Sequence, residues 1–368
     1  MKINILSTKF DSHCGIGQYT FLLSTELNKL GYTIKCIFIE PKRKNPLYYL
    51  KKANDLAQNC DVIHIQFDYP IIGKVGSLTG IYIPIFYFYL KALSLYKKYN
   101  IITTMHEIWN SKNPPKFGNL GSLYIHFING IIKNCSNGII TLSETGKKEL
   151  ISEGFNSEKI YLVIFGTSPP IFLNKTEIMK RLGIAQDKNI ITIFGYIKKS
   201  KGHDILLEAA KLLDDSFLIL VAGDIQSKDD SDYVKQLQNL ADEKVIFMGF
   251  IKDEIIPEIL NITNIMILPY REITQSGILN LAFSYGVPVI SSDLQYFLDI
   301  QKECNCIVTF QQNNIQSLVS EITRLSNNRD LMKFMGNSAK QYARNNTFVN
   351  AAEQHGEIYS KITNNSRL

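Results

Sequence analysis

Pro269-Tyr270-Arg271-Glu272-Ile273-Thr274-Gln275-Ser276-Gly277-Ile278-Leu279-Asn280-Leu281-Ala282-Phe283-Ser284-Tyr285-Gly286-Val287-Pro288-Val289-Ile290 is the stretch on which the fold turns. The apolar run Ile265-Met266-Ile267-Leu268 before it ends at Pro269, which has no N–H for a strand ladder and so closes the strand. A polar turn with Glu272, Gln275, Ser276 and Gly277 follows. An apolar segment then runs to Tyr285, stops at Gly286, and gives way to a second strand from Val287. The pattern is strand, loop, helix, strand, with the loop at the carboxyl end of a strand. Open α/β sheets bind ligands at such ends, and a helix start offers free N–H groups to an anion. A carboxylate, an amide and a glycine in one turn suit a ligand with hydroxyls and phosphates. An ordinary βα loop closed by a helix cap accounts for the same residues.

The chain around this stretch has 368 residues, long for one core and suited to two domains. Apolar residues make up 45% and charged residues 20%, the balance of a soluble globular protein. The opening Met1-Lys2-Ile3-Asn4-Ile5-Leu6 reads as a strand, its apolar run being too short for a signal peptide. Six cysteines, at 14, 36, 60, 135, 304 and 306, fit no metal spacing and read as free thiols of a reducing cytoplasm. The net charge of +6 is uneven. Residues 1–170 carry 19 Lys and Arg against 11 Asp and Glu, and the rest carry 21 against 23. The first half therefore suits an anionic partner, or has a lysine-rich solvated surface.

Apolar runs alternate with helical patterns throughout. Strands are expected near 2–7, 34–39, 61–66, 101–105, 138–142 and 160–164, then near 190–194, 217–221, 245–247, 265–268, 287–291 and 306–308. Such alternation predicts two parallel sheets, each covered on both faces. The first turn holds Gly15 and Gly17 before a helix that Gly31 ends. No third glycine follows at the dinucleotide spacing, so a nicotinamide site is not supported. His106 stands where a strand ends, and Ser143 is a natural helix cap. Gly195 through Gly202 repeats the strand-end turn, with Lys198, Lys199 and Lys201 beside a helix start. Asp230-Ser231-Asp232 imitates a metal motif but is better explained by helix capping.

Ile81 to Lys98 is the most apolar segment. It is shorter than the ~20 residues of a spanning helix and reads as a core helix or, alternatively, an interfacial one. Gly166-Thr167-Ser168-Pro169-Pro170 breaks the periodicity. The domains are therefore expected at 1–168 and 169–345, with a C-terminal helix over 346–368 returning to the first.

Taken in order, several marks resemble the retaining glycosyltransferases of family 4 (glycosyl transferases group 1). They are Gly15-Ile16-Gly17, Asp61-Val62-Ile63-His64, Thr104-Met105-His106, Ile140-Thr141-Leu142-Ser143, Gly195 to Gly202, Val245 to Phe250, Leu268-Pro269-Tyr270, Ser276-Gly277 and Gly286 to Ile290. The resemblance covers almost the whole chain. It implies an α/β protein of GT-B architecture, two facing Rossmann-like doubly wound parallel-sheet domains, moving a sugar from a nucleotide diphosphate donor with retention and without a metal. The donor is a UDP- or GDP-linked sugar, a substrate, so no cofactor is expected.

By the same resemblance, Lys201 meets the diphosphate and the N–H groups of Ser276, Gly277 and Ile278 cradle it. Glu272 grips donor hydroxyls, and His106 reaches the donor sugar from the first domain. Gly15 and Gly17 belong to the loop that closes over the donor. Phe250 and Ile251 lie where the base is held, and Asn280 is placed to bond a ribose hydroxyl. Three positions depart from the pattern. Tyr196 stands where Arg is usual, Asn280 or Leu281 where a second Glu is usual, and Phe165-Gly166-Thr167-Ser168 at the domain junction. A different GT-B enzyme such as an epimerase, or a non-catalytic partner subunit, are the rival readings.

His106 and Glu272 both end strands, so neither is expected to be needed for core packing. The acceptor is expected to be a sugar or lipid-linked molecule of polysaccharide or glycolipid assembly, and no nucleic acid is implied. Lys42, Arg43, Lys44, Lys51 and Lys52 around Tyr48 and Tyr49 point to reversible binding of an anionic membrane from the cytoplasmic side.

Overall fold

The computed structural model describes residues 1–10, 14–40, 45–72, 78–109, 118–225 and 230–365. It divides into two compact units, one of Met1–Gly166 with the C-terminal helix Phe348–Asn365, the other of Thr167–Thr347.

In the first unit β1 (Lys2–Ser7), α1 (Gly15–Lys29), β2 (Thr33–Phe38), α2 (Pro46–Leu56), β3 (Val62–Phe67), α3 (Tyr82–Lys97), β4 (Asn100–Met105), α4 (Gly118–Cys135), β5 (Gly138–Thr141), α5 (Glu144–Ser152) and β6 (Ile160–Leu162) follow one another. All strands pair in parallel, in the order β2-β1-β3-β4-β5-β6. All six residues of β3 are buried, because helices cover both sheet faces. Side chains alternate across a strand. Ile63, Ile65 and Phe67 therefore join the core under α2, α3 and α4, while Val62 joins the core under α1 and the C-terminal helix. The same alternation puts His64 and Gln66 of β3 on the second face. Ser143 caps α5 as expected, its hydroxyl accepting from the Gly146 N–H at 3.0 Å, and Gly31 follows α1 with φ +87°.

Two expectations for this unit change. α3 is a core helix on one face only: Ile83, Phe86, Tyr87 and Leu90 are buried, while Ile85, Phe88 and Leu95 are exposed. The basic-aromatic patch is also not built as read. Tyr49 is a core residue and so leaves the patch, whereas Tyr48 is half-buried, its hydroxyl accepting from the Glu40 N–H at 2.8 Å and the Lys52 ammonium standing 5.5 Å from its ring centre. Lys42, Arg43 and Lys44 lie outside the described residues.

The second unit runs through α6 (Lys175–Arg181), β7 (Asn189–Phe194), α7 (His203–Ala210), β8 (Phe217–Ala222), α8 (Ser231–Leu240), β9 (Val245–Gly249), α9 (Ile256–Ile262), β10 (Ile265–Leu268), α10 (Gly277–Tyr285), β11 (Val289–Ser292), α11 (Gln295–Glu303), β12 (Ile307–Phe310), α12 (Ile315–Ser326) and α13 (Arg329–Asn345). Its parallel sheet has the order β12-β11-β10-β7-β8-β9. Strand succession reverses between β7 and β10, so the crevice of this unit opens at their carboxyl ends. Both ends are special in sequence: β7 runs into Gly195, and β10 into Pro269.

Smaller readings resolve here too. Asp230 is the N-cap of α8 but its side chain makes no capping bond, whereas Asp232 pairs with Lys235 at 3.6 Å. Cys304 and Cys306 form a disulfide, which corrects the expectation of free thiols for this pair. Cys304 closes α11 and Cys306 precedes β12, and that turn brings their Cα atoms to 5.4 Å, within disulfide reach.

Candidate functional site

In the second unit the loops after β7 and β10 are stitched together at the switch point. Gly202 sits at φ +69°, and a Cβ there would lie 1.9 Å from the Pro269 carbonyl oxygen. Only glycine permits this approach. It lets the Arg271 N–H reach the Ser200 carbonyl at 2.8 Å and the Arg271 guanidinium reach the Lys199 carbonyl at 2.7 Å. The same guanidinium grips both Asp204 carboxylate oxygens, at 2.9 and 2.7 Å. Partial burial pushes the Asp204 carboxyl up, but its bonds from Arg271 and Tyr233 outweigh this and hold it below the ordinary value.

Lys201, half-buried between these loops, has its ammonium 3.8 Å from the centre of the Tyr270 ring. A cation over an aromatic face keeps its charge and direction while losing side-chain freedom. Tyr270 is buried, and its carbonyl accepts from Ser292 Oγ at 2.6 Å, so the platform is fixed.

α10 starts beside the same loop: an ideal Cβ on Gly195 would stand 3.8 Å from Ile278 Cγ1. Ser276 is the helix cap, its hydroxyl accepting from the Leu279 N–H at 3.1 Å. Its own N–H donates to the Tyr296 hydroxyl at 3.2 Å. Of the three N–H groups expected to cradle a diphosphate, Ser276's is thus engaged within the protein. Those of Gly277 and Ile278 lie in the first turn, where a helix supplies no acceptor. Gly277 and Glu272 are exposed, Asn280 is buried in α10 and Leu281 is half-buried.

The strand-end glycines continue along the edge. A Cβ on Gly223, after β8, would lie 1.9 Å from the Gly195 carbonyl oxygen, and Gly223 bridges to Gly249 at the end of β9. Phe250, next in sequence, is 37% exposed, whereas Ile251 packs into a small cluster with Ala222 and Ile259. Tyr196, in the usual place of an Arg, lies 5.9 Å from the Lys198 ammonium. Arg271 brings a guanidinium to the turn, but Asp204 already neutralises it.

In the first unit Gly15 opens α1 at the carboxyl end of β1. It is exposed, and a side chain there would meet nothing within 4 Å. Gly17 differs: a Cβ would come within 2.1 Å of the Lys9 carbonyl oxygen, so packing alone requires it. His106, just beyond β4, is 6% exposed, which corrects the expectation that it stands clear of the core. Its Nε2 donates to Gln66 Oε1 at 2.7 Å, and its ring meets Tyr19 edge-on at 5.0 Å. Behind Gln66, His64 bonds through Nε2 to Thr104 Oγ1 and through Nδ1 to the Tyr359 hydroxyl, both at 2.7 Å. Burial, and then His355 nearby, push His106 down to about 3, so it is neutral at physiological pH.

The structure thus gathers Lys201, Gly277, Ile278 and Glu272 around the β7–β10 crevice and sets His106 in a polar network of the first unit. Sequence reasoning missed the pairs Arg271–Asp204, His106–Gln66 and His64–Tyr359. These join residues 67, 40 and 295 positions apart, and no local pattern names the partners.

Exchanging Gly202 for Ala tests how the loops are held. Gly183 has the same φ of +69° with nothing within 4 Å, so Gly183→Ala measures conformational strain alone. That strain costs ~1–2 kcal/mol, and Gly202→Ala is expected to lose ~2–4 kcal/mol through the added backbone collision. Equal melting temperatures for the two variants would show that the contact with Pro269 yields freely.

Two six-stranded parallel sheets, one in each unit, define a pair of Rossmann-like domains, the GT-B architecture. Residues 174–342 match the family Glycosyl transferases group 1, and the second unit is a domain of that family. In fold the chain is similar to the Anabaena protein HepE crystallised in complex with UDP-glucose. The TM-score is 0.78 at 15% identity, over 98% of this chain and 100% of that one. A glycosyltransferase from Rickettsia africae ESF-5 is similar at TM-score 0.77 and 20% identity, over 98% of each chain. An uncharacterized glycosyltransferase of Methanocaldococcus jannaschii is 26% identical over 246 residues, 61% of this chain; the match spans 62% of that relative's length.

Proposed function

We propose that the protein transfers a sugar from a nucleoside diphosphate donor to a sugar or lipid-linked acceptor, with retained configuration and without a metal, in cell-surface polysaccharide or glycolipid assembly on the inner face of the membrane. The observation that carries this is Lys201 on its tyrosine platform at the β7–β10 crevice, beside the first turn of α10. When the bond from the anomeric carbon to the β-phosphate oxygen breaks, negative charge collects on the diphosphate. A fixed ammonium and the N–H groups of Gly277 and Ile278 stabilise that charge without moving. Glu272 supplies acceptor oxygens for sugar hydroxyls. His106, neutral and held by Gln66, adds a polar contact to the sugar. Ser276 acts here as the helix cap, and Gly15, Phe250, Ile251 and Asn280 are assigned to donor closure and nucleoside contacts. UDP is the first nucleotide to try, since HepE was crystallised with UDP-glucose.

Melting temperatures with UDP, GDP and ADP test the donor site, because a ligand of the folded state stabilises it by mass action. At 100 times the dissociation constant the expected gain is ~2.7 kcal/mol. Lys201→Ala is expected to weaken binding ~10–150-fold, the loss of one charge-assisted contact, with little change in the unliganded melting temperature. No shift with any nucleotide, or equal shifts in wild type and Lys201→Ala, overturns the assignment.

Tyr196 in place of a cation, with Arg271 neutralised by Asp204, favours one other reading, a subunit that binds donor without turning it over. Nucleotide-induced stabilisation without transfer across a panel of nucleotide sugars and acceptors is its signature.

A further inference from the structure

We propose that the exposed apolar face of α3 and α4 in the first unit is the surface by which this protein docks on an anionic lipid bilayer. Ile81, Ile85, Phe88, Ala92 and Leu95 recur at intervals of four and three, which lines them up on one side of a helix. All five are exposed, Leu95 at 74%. The opposite side is apolar as well and is buried in the core. A helix apolar all round belongs in the interior of a protein or at a membrane, and here only half of the surface is covered by protein.

α4 continues the face. Its Tyr124 hydroxyl donates to the Gly80 carbonyl at 3.1 Å, which sets the turn carrying Leu123 and Phe127 beside the start of α3. Leu123 is 68% exposed and Phe127 53%.

Charge selects the occupant. Lys91, Lys97 and Lys98 stand on α3 or at its end, and neither α3 nor α4 contains a carboxylate. At the end of α3, Leu95, Tyr96, Lys97 and Lys98 are exposed in succession, Tyr96 at 85%. An apolar stripe ending in an aromatic ring and two ammonium groups matches the acyl boundary, the headgroup level and anionic phosphate in turn. The 16-residue α3 is ~24 Å long and would lie along the surface. Among the described residues no helix is long and apolar enough to cross.

This surface deepens the reading of a lipid-linked acceptor and rests on it for its purpose, but its test is separate from the donor site. Full-length protein is sedimented with vesicles of phosphatidylcholine alone, or with one third phosphatidylglycerol, and the UDP-induced melting shift is read on the same preparations. Binding is expected only to the mixed vesicles. It should fall several-fold between 0.1 and 1 M salt, as the Debye length shrinks from about 10 to about 3 Å. Phe88→Ser and Leu95→Ser should each lower partitioning ~10-fold, consistent with losing one inserted apolar side chain. Both residues are exposed, so melting temperature and UDP shift should not change. Wild type left in the supernatant with anionic vesicles at 0.1 M salt overturns the proposal, as does unaltered binding of both variants. So does a wild-type dimer in ultracentrifugation that Phe88→Ser dissociates, since the face would then be covered by a second copy.

Discussion

Lowering the pH from 7 to 5 is expected to destabilise the first unit steeply. Three buried histidines, His64, His106 and His355, cluster there, with the His64 and His355 rings 5.4 Å apart. Burial holds His106 down to about 3 and His355 to about 4, while His64 is pushed well below its ordinary value by burial and then by the other two. The sign follows from proton counting. Between these values and ~6.5, the ordinary histidine value, the unfolded chain binds protons that the folded chain refuses, so stability falls with falling pH. Each histidine contributes up to ~1.4 kcal/mol per pH unit.

Glu149 works in the opposite direction. Burial, then repulsion from Glu153, push it up to about 7, so below that value the folded state is the one that holds a proton. It offsets roughly one histidine, leaving a net slope of ~2–3 kcal/mol per pH unit below pH 6. Against a typical domain stability of 5–15 kcal/mol, a fall of one to two pH units removes much of the margin. Urea midpoints at half-unit steps from pH 7.5 to 4.5 measure the slope, and His106→Gln should reduce it. A midpoint that is flat from pH 7 to 5.5 is incompatible with neutral buried rings.

The sequence made the sheets legible because apolar runs and period-3.6 patterns are local and several strands, β7, β8 and β10 among them, run into a glycine or proline. Pro269, Gly286 and Gly31 each act where they were expected to. The positions around Lys201 were legible for the same reason, since a helix start after a strand is a local event. What joins them was not. Gly202 against Pro269 and Arg271 against Asp204 are contacts across 67 residues, set by the reversal between β7 and β10. His106 misled for a similar reason. Its place at a strand end suggested exposure, but the C-terminal helix, arriving some 250 residues later with Tyr359 and His355, covers that face of the sheet. The alternation of His64 and Gln66 within β3 was the one sequence signal of a buried polar row. The solvent-facing stripe of α3 stayed ambiguous because composition cannot tell an apolar helix buried all round from one half covered.

Glu272→Ala is expected to lower the transfer rate by ~10²–10⁴ while leaving the fold intact, if Glu272 holds donor hydroxyls as proposed. The two halves of that expectation have different causes. The Glu272 side chain is exposed, and substitutions at exposed positions usually change stability by less than ~0.5 kcal/mol. Its backbone, however, is held from the preceding residue. Arg271 is tied through its N–H to Ser200, through its carbonyl to the Gln312 amide at 2.8 Å, and through its guanidinium to Asp204 and Lys199. A carboxylate on so fixed a backbone meets a bound sugar with little reorganisation, and that is the condition for stabilising a transition state more than a ground state. The loss should therefore fall mainly on kcat, with KM for the donor changing little, because Lys201 and the first turn of α10 keep the diphosphate. Glu272→Gln should recover part of the rate, since an amide oxygen still accepts from hydroxyls. Arg271→Ala should lose stability and nucleotide binding together, unlike either Glu272 variant. Transfer by Glu272→Ala within tenfold of wild type, at saturating donor and with an unchanged melting temperature, would remove Glu272 from the site and leave the exposed turn after β10 as an ordinary capped loop.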